Sequence, residues 1–263
     1  MTNILSSIKS KKPLIHHITN VVTVSDCAQI TRNWGALPIM AYAIEEVAEM
    51  VSTASALVLN IGTLQKEQVE AMIKAAVKAN QIGIPVILDP VGVGATGFRT
   101  ESAREILHKA KIAVIKGNPG EISILAGEKG VIKGVESVGD YSQIGKTSLQ
   151  LAKMYHCVVV ASGAKDTVTN GSHLYQVSNG HPLLATIVGT GCMLASTIAV
   201  FCSVNKDYLD AALDATAAFG LASEIASTET EYPESFRVKF MDAVAGMDDV
   251  QLNKGKRIKK LFL

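Results

Sequence analysis

The chain has 263 residues, 48% hydrophobic and 19% charged, enough to bury a substantial core as one large domain or two small ones. Its 25 basic and 24 acidic residues leave a net charge of +1, which excludes the broad electrostatic footprint of a nucleic-acid or anionic-membrane binder.

In chain order, short β-branched runs at 14–18, 36–41, 56–61, 85–90, 112–116 and 157–162 read as buried strands. Amphipathic stretches at 24–34, 44–52, 66–81, 100–108 and 141–155 alternate with them and read as helices. This strand-helix-strand order predicts an α/β fold with a largely parallel central sheet and helices on both faces. The glycine-rich stretch 127–140 reads as a mobile excursion between helices. Asn170-Gly171-Ser172, between alternating runs, predicts a hairpin over 167–177. Three helices follow without intervening strands, at 192–203, 208–225 and 233–245, and the basic run 254–260 reads as a solvated helix end. With no Pro/Ser-rich linker and no repeat, residues 1–263 read as a single domain. The four cysteines, at 27, 157, 192 and 202, have no metal-binding spacing and suggest no disulfide framework. Neither a signal peptide nor a membrane span is indicated, so the expected location is the cytoplasm.

Ligands of an open parallel sheet collect beyond the carboxyl ends of its strands. Asn20, Met40, Asn60 with Gly62, Asp89, Asn118 and Ser162-Gly163 end or follow the six predicted strands and are expected to face one crevice. Asp89 opens the flexible loop Pro90-Val91-Gly92-Val93-Gly94 and reads either as a turn cap or as a Mg²⁺ ligand. Asn118-Pro119-Gly120-Glu121 alone is a helix capping box; beside Asp89, its Glu121 makes a second carboxylate for an octahedral Mg²⁺ that bridges nucleotide phosphates. Lys116, at the same strand end, reads as a snorkelling lysine or as a point charge on a phosphate. Gly189-Thr190-Gly191-Cys192 opens an apolar helix, and the N–H groups of residues 190 to 193 form an expected anion hole, although such a turn alone is weak evidence.

Taken together, these motifs resemble the ribokinase-like superfamily of small-molecule kinases and, over the whole chain, its hydroxyethylthiazole kinase family. The resemblance rests on His17-Ile18-Thr19-Asn20-Val21-Val22, Asn33-Trp34-Gly35-Ala36-Leu37-Pro38-Ile39-Met40, Asn60-Ile61-Gly62-Thr63-Leu64, the Asp89 loop through Thr96, Gly117-Asn118-Pro119-Gly120-Glu121, and Val188-Gly189-Thr190-Gly191-Cys192-Met193-Leu194. It implies phosphorylation by MgATP of the primary alcohol of 4-methyl-5-(2-hydroxyethyl)thiazole, a salvage step in thiamine biosynthesis, by a homotrimer with sites near subunit boundaries. It further implies that Met40 and Gly189 contact the thiazole with Asn20 nearby, that Lys116 and Ser162 contact ATP beside Asn118, Thr190 and Gly191, and that Asp89 and Glu121 serve the metal. The family usually has Arg where this chain has Lys116, which replaces a two-pronged phosphate contact with a point charge.

Most ribokinase-like enzymes have an Asp at the position of Cys192, where it takes the proton of the attacking hydroxyl. A helix N-terminus lowers a thiol pKa, so Cys192 is expected to supply some thiolate at neutral pH, or else to be an apolar filler. The alternatives are a kinase of another small alcohol, of pyrimidine or pyridoxal type, or a nucleotide-binding sensor that has lost its base. A nicotinamide-binding protein fits least, since no G-x-G-x-x-G follows the first strand.

Overall fold

The computed structural model describes residues 3–128, 132–133, 136–137 and 143–262. From the N-terminus it runs α1 (Ile4–Lys11), β1 (Leu14–Ile18), α2 (Val24–Asn33), β2 (Leu37–Ile39), α3 (Val47–Ser52), β3 (Ala56–Asn60), α4 (Lys66–Ile82) and β4 (Val86–Asp89). It continues with α5 (Gly97–Lys109), β5 (Val114–Gly117), α6 (Pro119–Leu125), the short pair β6 (Ile132–Lys133) and β7 (Glu136–Ser137), α7 (Ile144–Tyr155) and β8 (Val158–Ala161). The hairpin β9 (Asp166–Thr169) and β10 (Leu174–Val177) precedes α8 (Thr190–Cys202), α9 (Tyr208–Ser227), α10 (Pro233–Gly246), α11 (Asp249–Gly255) and β11 (Ile258–Leu261). Most of the predicted 127–140 excursion lies outside the described residues.

Nine strands form one sheet in the order β11-β10-β9-β8-β5-β4-β3-β1-β2. The six from β2 to β8 are parallel, and β9, β10 and β11 extend the sheet antiparallel from β8. Alternation along each central strand divides the core into two layers. Val58 and Ile87 join the cluster under α1, α2, α8, α9 and α10, whereas Leu57, Leu59 and Leu88 join the one under α4, α5 and α6. α8 lies across β3 and β4 and is wedged against α2, where Trp34 meets Phe201 edge to face at 5.4 Å and donates its indole N–H to Thr197 Oγ1 at 2.9 Å. Among the described residues no helix is long and apolar enough to cross a membrane.

One expectation at the C-terminal end is corrected. The basic run is not one helix end: α11 stops at Gly255, and Ile258–Leu261 pairs with β10 as the antiparallel edge strand of the sheet. Ile258 and Leu261 are half-buried while Lys259 and Lys260 are exposed, the charged pattern that keeps an edge strand from pairing with other chains. α1 escaped the sequence reading because its cap is remote. The backbone N–H groups of Leu5 and Ser6 donate to the Asp249 carboxylate at 2.9 and 3.0 Å, across more than 240 residues.

His17, 1% exposed on β1, is held well below the ordinary histidine value, at about 4, by burial, with its Nδ1 donating to the Ile15 carbonyl at 3.1 Å. As pH falls below 6.5 the unfolded chain takes up a proton that the folded chain refuses until about 4. The stability associated with neutral His17 is thus complete above 6.5 and lost as pH falls through 4, by roughly 3 kcal/mol if the whole shift is expressed. Urea denaturation of His17→Gln between pH 7 and 4 is expected to show an acid slope shallower by about one proton. An unchanged slope would show that His17 protonates without strain.

Candidate active site

Beyond the carboxyl ends of the parallel strands, loops from β1, β3, β4 and β5 converge under the N-terminus of α8. β1 is the switch point of the sheet, with β2 on one side and β3 on the other, so the loops that follow β1 and β3 diverge and open a crevice. Asn20 and Asn60 meet across it, the Asn20 Nδ2 donating to Asn60 Oδ1 at 2.9 Å. Asn60 Nδ2 then donates to Asp89 Oδ2 at 2.7 Å and to the Cys192 sulfur at 3.2 Å. From the other side, Lys116 Nζ pairs with Asp89 Oδ1 at 3.5 Å. The crevice expected from the strand ends therefore exists at its centre as one contiguous polar network.

Charge in this network is not balanced. Asp89, Lys116 and Glu121 are all buried, two carboxylates against one ammonium. Burial raises the Asp89 carboxyl, with Lys116 and Asn60 opposing it. For Lys116, burial acts to lower the value, but Asp89 first and then Glu121 and Cys192 outweigh it, so the ammonium is held above the ordinary lysine range. Glu121 is pushed up to about 7 by burial, against the pull of Lys116. Its carboxylate accepts from Gly92 N at 2.8 Å and from Asn118 N at 2.8 Å, while Asn118 Oδ1 accepts from Glu121 N at 2.9 Å. The capping box and the buried carboxyl beside Asp89 and Lys116 are thus the same group.

The Gly189 motif behaves as a tight seat. Gly189 caps α8 with φ of +88°, and a Cβ there would lie 2.5 Å from Thr23 Cγ2, so both conformation and space require glycine. A Cβ on Gly191 would lie 2.8 Å from Lys116 Nζ, which puts the ammonium directly against the first turn of the helix. One part of the expected anion hole is corrected: Met193 N donates to Gly189 O at 2.9 Å and is spent on the helix. The first-turn N–H groups of Thr190, Gly191 and Cys192 remain without an intrahelical acceptor. The expected lowering of the Cys192 thiol is also corrected. Burial, and then the Asp89 charge, raise it, against the opposing pull of Lys116.

Met40 and Ser162 lie at opposite flanks of the row. Met40, half-buried, follows β2, where His16 Nε2 donates to the neighbouring Ala41 carbonyl at 2.6 Å. Ser162 follows β8, its N–H donating to Gly117 O at 2.9 Å. Five interstrand spacings separate β2 from β8, roughly 24 Å along the sheet. Cys192, whose helix crosses β3 and β4, lies near the middle of that span. A separate depression of about 940 Å³ lies at the amino ends of β4, β5 and β8, lined by Pro85, Val86, Ala113 and Val158, and contains none of these residues.

Two contributors were missed at the sequence level. Asn60 was placed at a strand end but given no role. Arg99, in the first turn of α5, donates to Ile61 O at 2.9 Å, Val91 O at 2.8 Å and Gly62 O at 2.7 Å, stapling the loop after β3 to the loop after β4. A cation in a first helical turn opposes the helix dipole, and that misplacement is the signal that could have found it.

The described residues hold no group of three or more His, Cys, Asp and Glu disposed around a metal. The donor set nonetheless suits a Mg²⁺ of the phosphate-bridging kind, which takes one or two carboxylates and keeps its remaining positions for water and phosphate oxygens. The excess buried carboxylate is the observation that favours a cation.

Residues 5–249 match the model of the hydroxyethylthiazole kinase family. Among curated relatives, the chain is 54% identical to a hydroxyethylthiazole kinase of Thermoanaerobacter sp. (strain X514) over 97% of its own length and 98% of the relative's. It is 48% identical to that of Methanosarcina mazei, covering 99% and 100%. A solved hydroxyethylthiazole kinase structure from Pyrococcus horikoshii OT3 superposes with a TM-score of 0.91 at 38% identity, covering 98% of both chains. A pyridoxal kinase from Staphylococcus aureus, solved with pyridoxal, shares the fold at a TM-score of 0.64 and 14% identity, covering 95% and 98%. On the match of the family model and of relatives that span nearly its whole length, the chain belongs to the hydroxyethylthiazole kinase family.

Proposed function

We propose that the chain transfers the γ-phosphoryl group of ATP to the primary alcohol of 4-methyl-5-(2-hydroxyethyl)thiazole, a salvage step in thiamine biosynthesis. The observation that carries this reading is the meeting of Cys192, the Asp89–Lys116 pair and the bare first turn of α8 midway between the β2 and β8 flanks of the sheet. ATP lies on the β5–β8 side, with Ser162 and Asn118 beside it and its terminal phosphate against Thr190, Gly191 and Lys116. The thiazole lies on the β2–β1 side between Met40 and Gly189, with Asn20 in the wall behind it. Asp89 and Glu121 hold Mg²⁺, which when bound neutralises phosphate charge.

Phosphoryl transfer passes through a loose transition state, so placing and charge stabilisation dominate. The N–H groups of Thr190, Gly191 and Cys192 face the charge that spreads over the equatorial oxygens, and Lys116 adds a fixed positive charge. The thiolate form of Cys192 accepts the proton of the attacking hydroxyl and becomes the thiol. Burial and the Asp89 charge make that form scarce, which a loose transition state tolerates because the hydroxyl acidifies late. No observation favours a sensor lacking chemistry: the excess carboxylate charge is an expense for a binder and a use for a metal-assisted transferase.

We place the protein in the cytoplasm as a homotrimer. Its cysteines at 27, 157, 192 and 202 are unpaired, as a reducing compartment keeps them. Val21, Val22 and Val188, exposed at 76%, 63% and 72% on the loops that flank Gly189, supply an apolar rim suited to cover by a neighbouring subunit.

Purified protein with MgATP and hydroxyethylthiazole is expected to yield the thiazole phosphate ester by mass spectrometry, in preference to a pyrimidine alcohol under the same conditions. Nucleotide binding without any ester would return the protein to the sensor class. Cys192→Ala is expected to lower kcat about 10²–10³-fold with little change in thiazole affinity; undiminished turnover would make the sulfur a filler. Light scattering is expected to give the mass of three chains, and the mass of one chain would contradict the assembly.

A further inference from the structure

Asn60 is 1% exposed and every polar atom of its amide is engaged. Gly62 N donates to Asn60 Oδ1 at 2.9 Å. A backbone N–H can only donate, so the amide oxygen faces Gly62 and the NH₂ faces Asp89 and Cys192. The same logic fixes Asn20, whose Oδ1 accepts from Thr23 N at 3.0 Å and Thr23 Oγ1 at 3.1 Å. Its Nδ2 therefore points to Asn60 Oδ1 and, at 3.4 Å, to the Cys192 sulfur. The result is a one-way relay of donors from Thr23 at the mouth of α2 to Asp89 at the end of β4.

We propose that Asn60 is a positioning residue of the phosphoryl transfer: its orientation-locked amide holds the Asp89 carboxylate and the Cys192 sulfur in fixed register, with Asn20 locking it from behind. The inference rests on the phosphotransfer reading and deepens it. Lys116 and Asn60 grip different oxygens of Asp89, Oδ1 and Oδ2, and so fix the plane of the carboxylate as well as its place. A carboxylate held by Lys116 alone could turn about its own axis. Of the two amide donors on the Cys192 sulfur, the Asn60 one is the shorter, at 3.2 against 3.4 Å. Asn20 itself, 3% exposed and with both amide atoms bonded inside the protein, acts through this relay.

Asn60→Asp is the sharper variant, because it keeps the shape and the acceptor for Gly62 N–H while setting a second carboxyl against Asp89 in place of the amide donor. Asn60→Ala removes the group, and Asn20→Ala cuts the relay one step earlier should Asn60→Ala fail to fold. Steady-state kinetics with MgATP and hydroxyethylthiazole, read beside thermal melting, are expected to show kcat reduced about 10²-fold for both Asn60 variants and about tenfold for Asn20→Ala. KM for each substrate is expected to stay within about threefold of the parent value, since the lost contacts touch the reacting groups and not the bulk of either ligand. A folded Asn60→Asp protein with kcat near that of the parent, or a loss confined to KM, would overturn the proposal. A loss of kcat only in proportion to a fall in folded protein would reduce Asn60 to a structural residue and overturn it equally. Parent protein that forms no ester would instead overturn the phosphotransfer reading on which the proposal stands.

Discussion

The site is organised by a carboxylate that has to live at the end of a buried strand. Asp89 terminates β4 between two other interior strands, fully buried, where an unanswered charge would cost several kcal/mol. Lys116 answers it from the adjacent β5 and Asn60 from the adjacent β3, one on each carboxylate oxygen. Much follows from that arrangement. A Cβ at residue 191 would displace the ammonium, and Glu121 remains as a second buried carboxyl one loop away. A second carboxyl beside Asp89 and a bare helix turn above it can take a cation and an anion, the pair that a metal-bound triphosphate supplies together.

The sheet brings the pieces within reach of one another. Because β1 lies between β2 and β3, the crevice opens beside it, and the loops of the β2 flank and the β8 flank border a common centre. α8 is held over that centre from below: Trp34, at the end of α2, packs edge to face on Phe201 and donates its indole N–H to Thr197. Precision at Cys192 is thus set by the core beneath it, as its proposed catalytic role requires. Arg99 performs the same service for the loops, drawing three backbone carbonyls onto one guanidinium.

The legible parts of the sequence were those governed by local physics. The β-branched runs of β3, β4, β5 and β8 announced a parallel sheet, and the strand ends at Asn20, Asp89 and Asn118 announced its crevice. What escaped depended on distant groups. α1 is capped by Asp249, β11 exists because β10 offers it an edge, and neither partner is near in the chain. The behaviour of Cys192 was misread for the same reason. The helix end is visible in Gly-Thr-Gly-Cys, but the burial and the Asp89 charge that raise the thiol are supplied by other elements. The Asn60 amide is an intermediate case, placed at the right strand end by pattern but given its meaning only by four partners from four separate segments.

The most direct test is a crystal structure of the protein with Mg²⁺, a non-hydrolysable ATP analogue and hydroxyethylthiazole. The terminal phosphate is expected against the N–H groups of Thr190, Gly191 and Cys192, with the metal reached by Asp89 and Glu121 and the thiazole hydroxyl within hydrogen-bond distance of the Cys192 sulfur. A terminal phosphate bound away from α8, or a thiazole whose hydroxyl faces away from Cys192, would contradict a transfer organised around the Asp89–Asn60–Cys192 network.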